Sequence, residues 1–153
     1  MNGTMRGFEC TLYNSSFGDL LAELARESYD FYVAHYMTTD VMEAWSSGPQ
    51  SSSPRERVHI STEELKGISE DRVMELVLHV YPMGSRDSEI NTYEDFQQSD
   101  CVCCVIFYDC RMLEIYVKDA ILQEKISKHL LAMGGEEMAF ITDENDGRVV
   151  FYP

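Results

Sequence analysis

The most concentrated chemistry in this chain lies at Asp143, Glu144, Asn145 and Asp146, followed by Gly147 and Arg148. Four oxygen-bearing side chains crowd one turn, and hard cations take such ligands. The run falls short of a calcium-binding helix–loop–helix, because no helices flank it and no bidentate Glu stands at the twelfth position. The favoured reading is a hairpin loop, since Asn, Asp and Gly tolerate left-handed backbone. An Asp146–Arg148 contact across the turn would be its structural explanation. Asp143, Glu144, Asn145, Asp146 and Arg148 stand as the candidate ligand or interaction turn, with no metal and no cofactor assigned.

Cysteine is the next reactive type, at Cys10, Cys101, Cys103, Cys104 and Cys110. On a strand, Cys101 and Cys103 would point one way and Cys104 the other. Zinc sites draw ligand pairs from turns, and no second pair exists elsewhere. Buried thiols filling an apolar strand are the favoured reading. Cys110, at a turn, is the thiol most exposed to reaction. The histidines, His35, His59, His79 and His129, form no H-E-x-x-H or H-x-H pair, so each reads as structural or exposed. No serine sits in a G-x-S-x-G elbow. Gly134-Gly135 follows a helix and reads as its C-cap, not as a phosphate loop.

These residues need elements to position them. Arg6 to Tyr13 alternates like a strand. Phe17, Leu20, Leu21 and Leu24 then mark a helix face, with Ser16 as its cap and Asp19 in its first turn. Tyr29 to Tyr36 reads as an aromatic strand, and Thr39 to Trp45 as one short helical turn. Ser46 to Arg57, rich in Ser and Pro, reads as a flexible loop. Ser61-Thr62-Glu63-Glu64 is a capping box. Val73 to Pro82 is a strand with Leu76, Leu78 and Val80 on one face, and Thr92 caps a short helix carrying Tyr93 and Phe96. Cys101 to Asp109, apolar on both faces, reads as a central strand paired with Met112 to Val117. Asp119 caps a helix with the stripe Leu122, Ile126, Leu130 and Met133. Met138 to Ile141 and Val149 to Tyr152 read as a closing hairpin.

The expectation is a single α+β domain over residues 1–153, with a mostly antiparallel sheet and helices packed on one face. Asp and Glu number 27 against 12 Lys and Arg in 153 residues, a net charge of −15. That field repels phosphate backbones and argues against nucleic-acid binding. No apolar run is long enough to span a membrane. The N-terminal residues lack a signal-peptide core, and an odd number of cysteines fits reduced thiols, so a cytoplasmic location is expected.

Thr92-Tyr93-Glu94-Asp95-Phe96, Ser99-Asp100-Cys101, Ile115-Tyr116-Val117-Lys118-Asp119 and Ile141-Thr142-Asp143-Glu144-Asn145-Asp146-Gly147-Arg148 form a pattern. It resembles an uncharacterised domain-of-unknown-function family of small proteins from spore-forming Firmicutes. Arg6-Gly7-Phe8 and the leucine-bearing helix also look like that family's N-terminus. The resemblance implies a cytoplasmic bacterial protein and carries over no activity. The leading functional expectation is a non-catalytic acidic binding or regulatory protein, in one version an immunity-type inhibitor of a basic partner steered by charge. The alternative is a small metal-dependent enzyme using the acidic turn at 143–146, or Asp109 and Glu114. A homo-oligomeric structural protein is a third possibility, and sequence leaves the oligomeric state undetermined.

Overall fold

A computed structural model of the chain describes residues 5–38, 57–70 and 72–153. The opening alternation forms β1, Met5–Thr11. Helix α1 runs Asn14–Ala25. It starts ahead of Ser16, so Ser16 is not its cap. Tyr13 holds that place without a side-chain bond, and Asp19 falls beyond the first turn. Burial of Phe17, Leu20, Leu21 and Leu24 does the work that a cap would otherwise share.

Strand β2 is Tyr29–Thr38 and β3 is Val58–Ile60. The alternation rules gave no sign of β3, because three residues are too few for a period. Helix α2, Thr62–Ser69, carries the expected capping box between Ser61 and Glu64. Strand β4 is Val73–Pro82. Helix α3, Tyr93–Gln98, has its own box between Thr92 and Asp95. Strands β5, Cys103–Tyr108, and β6, Met112–Val117, form the expected hairpin. Its turn, residues 109–111, holds Asp109 and Cys110 at φ 57° and 62°, the left-handed backbone that tight hairpin turns use, and is closed by the Arg111 N–H on the Tyr108 carbonyl at 3.2 Å. Asp119 caps α4, Ala120–Ala132, and Gly134 ends it at φ 76°. Strand β7 is Glu136–Thr142. The helical turn expected at 39–45 and the loop at 46–57 lie outside the described residues, apart from Arg57.

The strands form one seven-stranded sheet in the order β3-β2-β4-β5-β6-β1-β7, with every pairing antiparallel. The single α+β domain is as expected, and β5 lies at its centre, buried on both faces. One face carries α1, α2 and α4, whose Leu20, Leu65 and Ile126 join Leu78, Val105 and Ile115 of the sheet. Phe17 of α1 stacks on Phe107 at 3.9 Å and 6°. The second face carries α3 and the closing segment, through Phe96 and Phe151.

Two further expectations need correction. Cys101 shares the second-face core with Cys104, whereas Cys103 faces the helices. Alternation fails there because β5 starts only at Cys103. Val149 to Tyr152 forms no strand, and β7 pairs with β1 instead. The segment after Thr142 turns across the second face, where Phe151 is buried and donates its N–H to the Asn91 carbonyl at 2.8 Å.

Gly7 marks how tightly β1 meets β6. A Cβ there would stand 1.9 Å from the Ile115 carbonyl oxygen, while one at Gly67 in α2 would meet nothing within 4 Å. Gly7→Ala should therefore destabilise by about 1–3 kcal/mol through strand displacement. Gly67→Ala should stabilise by about 0.4–1 kcal/mol. Urea unfolding of the two variants checks both signs.

Candidate functional site

The candidate turn opens a segment that straps the second face. Asp146 comes first. Its side chain is 3% exposed and takes Arg6 Nη1 at 3.1 Å. It also accepts from Tyr116 Oη at 3.0 Å and from the Arg148 backbone N–H at 3.1 Å. Arg6 reaches it because a register shift in β1 between Met5 and Gly7 breaks the alternation. The Arg6 guanidinium also lies 3.9 Å from the centre of the Tyr93 ring.

Arg148 is next, and its partner is Glu114 of β6 rather than Asp146. The guanidinium grips both carboxylate oxygens, Nε to Oε1 and Nη2 to Oε2, each at 2.8 Å. Tyr108 Oη donates a third bond to Glu114 at 2.8 Å. Burial works against ionisation of Glu114, but the bonds from Arg148 and Tyr108 outweigh it and hold the carboxyl below its ordinary range. Burial first, then the bond to Glu114 and its charge, push Tyr108 up to about 12 against the opposing pull of Arg148. Arg148 Nη1 donates to the carbonyls of Val150 and Tyr152, fixing the course of the strap. Tyr152 Oη then meets His35 Nδ1 of β2 at 2.7 Å.

The remaining turn residues divide. Asn145 folds back on the backbone, accepting from Thr142 N at 2.8 Å and donating to the Phe140 carbonyl at 3.1 Å. Asp143 and Glu144 are exposed. Asn145 and Asp146 thus spend their side-chain oxygens on the protein itself. Among the described residues no group of three or more His, Cys, Asp or Glu is placed to hold a metal. The expected Asp146–Arg148 contact exists, but through the Arg148 backbone.

Beside the strap lies a cavity of about 360 Å³ lined by Glu9, Glu114, Asn145, Asp146, Val149 and Val150 among others. Glu9 stands opposite Glu114 in the β1–β6 register. Its carboxyl is pushed up by burial and by the charges of Glu114 and Asp146. Sequence reading missed Glu9, since one acidic residue on an alternating strand looks like a solvated position. The register, which sequence alone does not fix, makes it a pocket residue.

A second polar network escaped the sequence as well. Asp87 accepts from Tyr81 Oη at 2.6 Å, contacts His79 Nδ1 at 3.4 Å and pairs with Arg57. Burial opposes its ionisation, but the His79 and Tyr81 bonds with the Arg57 charge hold its carboxyl below the usual range. The thiols offer less. Burial pushes Cys101 up to about 12, and Cys103 and Cys104 well above the ordinary value. Only Cys110 is not buried.

The shifts give stability a defined pH dependence. The depressed Glu114 stabilises the fold above its ordinary value of 4.5, and that contribution is lost as pH falls through the lower folded value. The raised Glu9 does the reverse: its ionisation penalises the fold at neutral pH and not below 4.5. Glu9→Gln should therefore stabilise at pH ~7 and lose that advantage in acid. Arg148→Met should cost about 3 kcal/mol or more, because Glu114 is left buried and unpaired. Adding Glu114→Gln should recover most of that loss. Denaturant midpoints across pH check all three.

Among the described residues no helix is long and apolar enough to cross a membrane. No solved structure matches the chain. The uncharacterized protein YncE of Bacillus subtilis (strain 168) is 38% identical over 71 residues, which is 46% of this chain and 46% of that relative. The match thus spans under half the length of the curated relative. A family model described as "Protein of unknown function (DUF2691)" matches residues 6–152. That range runs from Arg6, which holds Asp146, to Tyr152, which ends the strap on β2, and the chain belongs to the DUF2691 family.

Proposed function

We propose that this protein is a non-catalytic acidic binding protein that engages a basic partner, with an immunity-type inhibitor as the specific form. The observation that carries this reading is the state of Glu9. Its carboxylate lines the cavity together with Glu114 and Asp146. Among the described residues, burial and the like charges of Glu114 and Asp146 act on it, all raising its affinity for a proton. The nearby arginines are already engaged, Arg6 with Asp146 and Arg148 with Glu114. A guanidinium or ammonium group from a partner would relieve that repulsion. Val149 and Val150, 80% and 47% exposed, offer apolar contact for the methylene arm of such a side chain.

The net charge of −15 supports the same reading, since a one-signed field speeds encounter with an oppositely charged partner. A cytoplasmic home belongs to the proposal and is supported by five free thiols. So does a host among the spore-forming Firmicutes, supported by the Bacillus relative. A metal-dependent enzyme at 143–146 has less support, because Asn145 and Asp146 spend their oxygens on the protein's own backbone and side chains.

The test is affinity capture from a host lysate at low and moderate salt. A basic protein should be retained at low salt and released as salt rises. Glu9→Lys should weaken retention about tenfold or more, because a like charge then faces the partner. Retention indifferent to both salt and Glu9→Lys would defeat the reading.

A further inference from the structure

His35, Glu75 and Tyr152 come from β2, β4 and the strap and meet on the second face. A register shift in β2 between Val33 and His35 brings this about. Without it, strict alternation would send His35 to the helical face with Phe31 and Val33. The shift leaves Tyr36 on the helical face and aims His35 at Glu75.

The three side chains form a line. His35 Nε2 lies 2.7 Å from Glu75 Oε1, and His35 Nδ1 lies 2.7 Å from Tyr152 Oη. An ionised carboxylate can only accept, so Nε2 carries the imidazole proton. Nδ1 is then an acceptor, and the phenol donates to it. This is the order of nucleophile, base and orienting carboxylate that activates hydroxyls for attack. Arg148 holds the Tyr152 carbonyl and so restricts where the phenol can stand. The His35 and Glu75 side chains are 16% and 31% exposed, and Tyr152 is itself partly exposed, so a small reagent can approach.

We propose that Tyr152 is a nucleophile that accepts an acyl group from an activated ester. In the step, the bond from Tyr152 Oη to the acyl carbon forms as the bond from that carbon to the leaving oxygen breaks. The phenolic proton passes to His35 Nδ1, and the imidazolium, steadied by Glu75, delivers it to the leaving oxygen. The products are the acylated tyrosine and the free alcohol. Electrostatics select an acyl over a phosphoryl donor. A phosphate on Tyr152 would place about two negative charges beside Glu75 in an already acidic protein, whereas an acyl group adds none.

The experiment uses the intact protein and p-nitrophenyl acetate at neutral pH, with acylated tyrosines located by peptide mass spectrometry. Tyr13, 64% exposed, serves as reference within the same chain. Tyr152 should acylate about 100-fold faster than Tyr13, the scale of general-base assistance. His35→Gln should bring it to the Tyr13 rate, and Glu75→Gln should slow it about tenfold. Equal rates at Tyr152 and Tyr13 in the unaltered protein would overturn the proposal without reliance on any variant. That result would leave the basic-partner reading intact, because Glu9 takes no part here.

Discussion

The two-pronged grip of Arg148 on Glu114 is the contact on which the second face depends. Both side chains are largely buried, 13% and 14% exposed, so each charge would be costly alone. Together, with Tyr108 as a third donor, they satisfy one another. The pair adds less net stability than its geometry suggests, since both ions lose water to form it. Its larger effect is positional. Arg148 also takes the carbonyls of Val150 and Tyr152, so a single guanidinium ties β6 to the course of the whole strap.

From that anchor the two faces of the sheet divide their labour. The helical face is an ordinary apolar core in which leucines from α1, α2 and α4 meet leucines and valines of the sheet. The second face mixes aromatic rings with carboxylates. Tyr116 shows the design: its ring packs against Phe151 with centres 4.5 Å apart, while its hydroxyl bonds Asp146. Tyr81 does likewise, buried among apolar neighbours yet bonded to Asp87. Each tyrosine supplies apolar area and also satisfies a carboxylate that would otherwise be stranded.

Polar chemistry therefore gathers where the strap crosses. Asp146, Arg148 and Tyr152 follow one another along it and meet β1, β6 and β2 in turn. The cavity beside Glu9 and the His35–Glu75–Tyr152 line lie along the same segment. Residues at different places on a strap of this kind share its fate, because loosening one anchor frees the backbone that positions the next.

By itself the sequence determined the α+β class, the central apolar strand, the helices capped at Ser61, Thr92 and Asp119, and the limits of β4 and β6. Those features follow from local periodicity and from side chains bonding to their own backbone, as at Ser61 and Thr92. It also marked Asp146 and Arg148 as unusual. What they do was decided only by tertiary structure. Arg148 finds Glu114 at a sequence separation of 34, and Asp146 finds Arg6 at 140. Such pairings depend on strand order and register, and no local pattern encodes either one. The register shifts that turn Arg6 and His35 onto the second face defeat simple alternation, because one extra residue moves every later side chain to the opposite side. For the same reason Val149–Tyr152, which has the composition of a strand, became a strap: its apolar and polar partners were waiting across the sheet rather than beside β7.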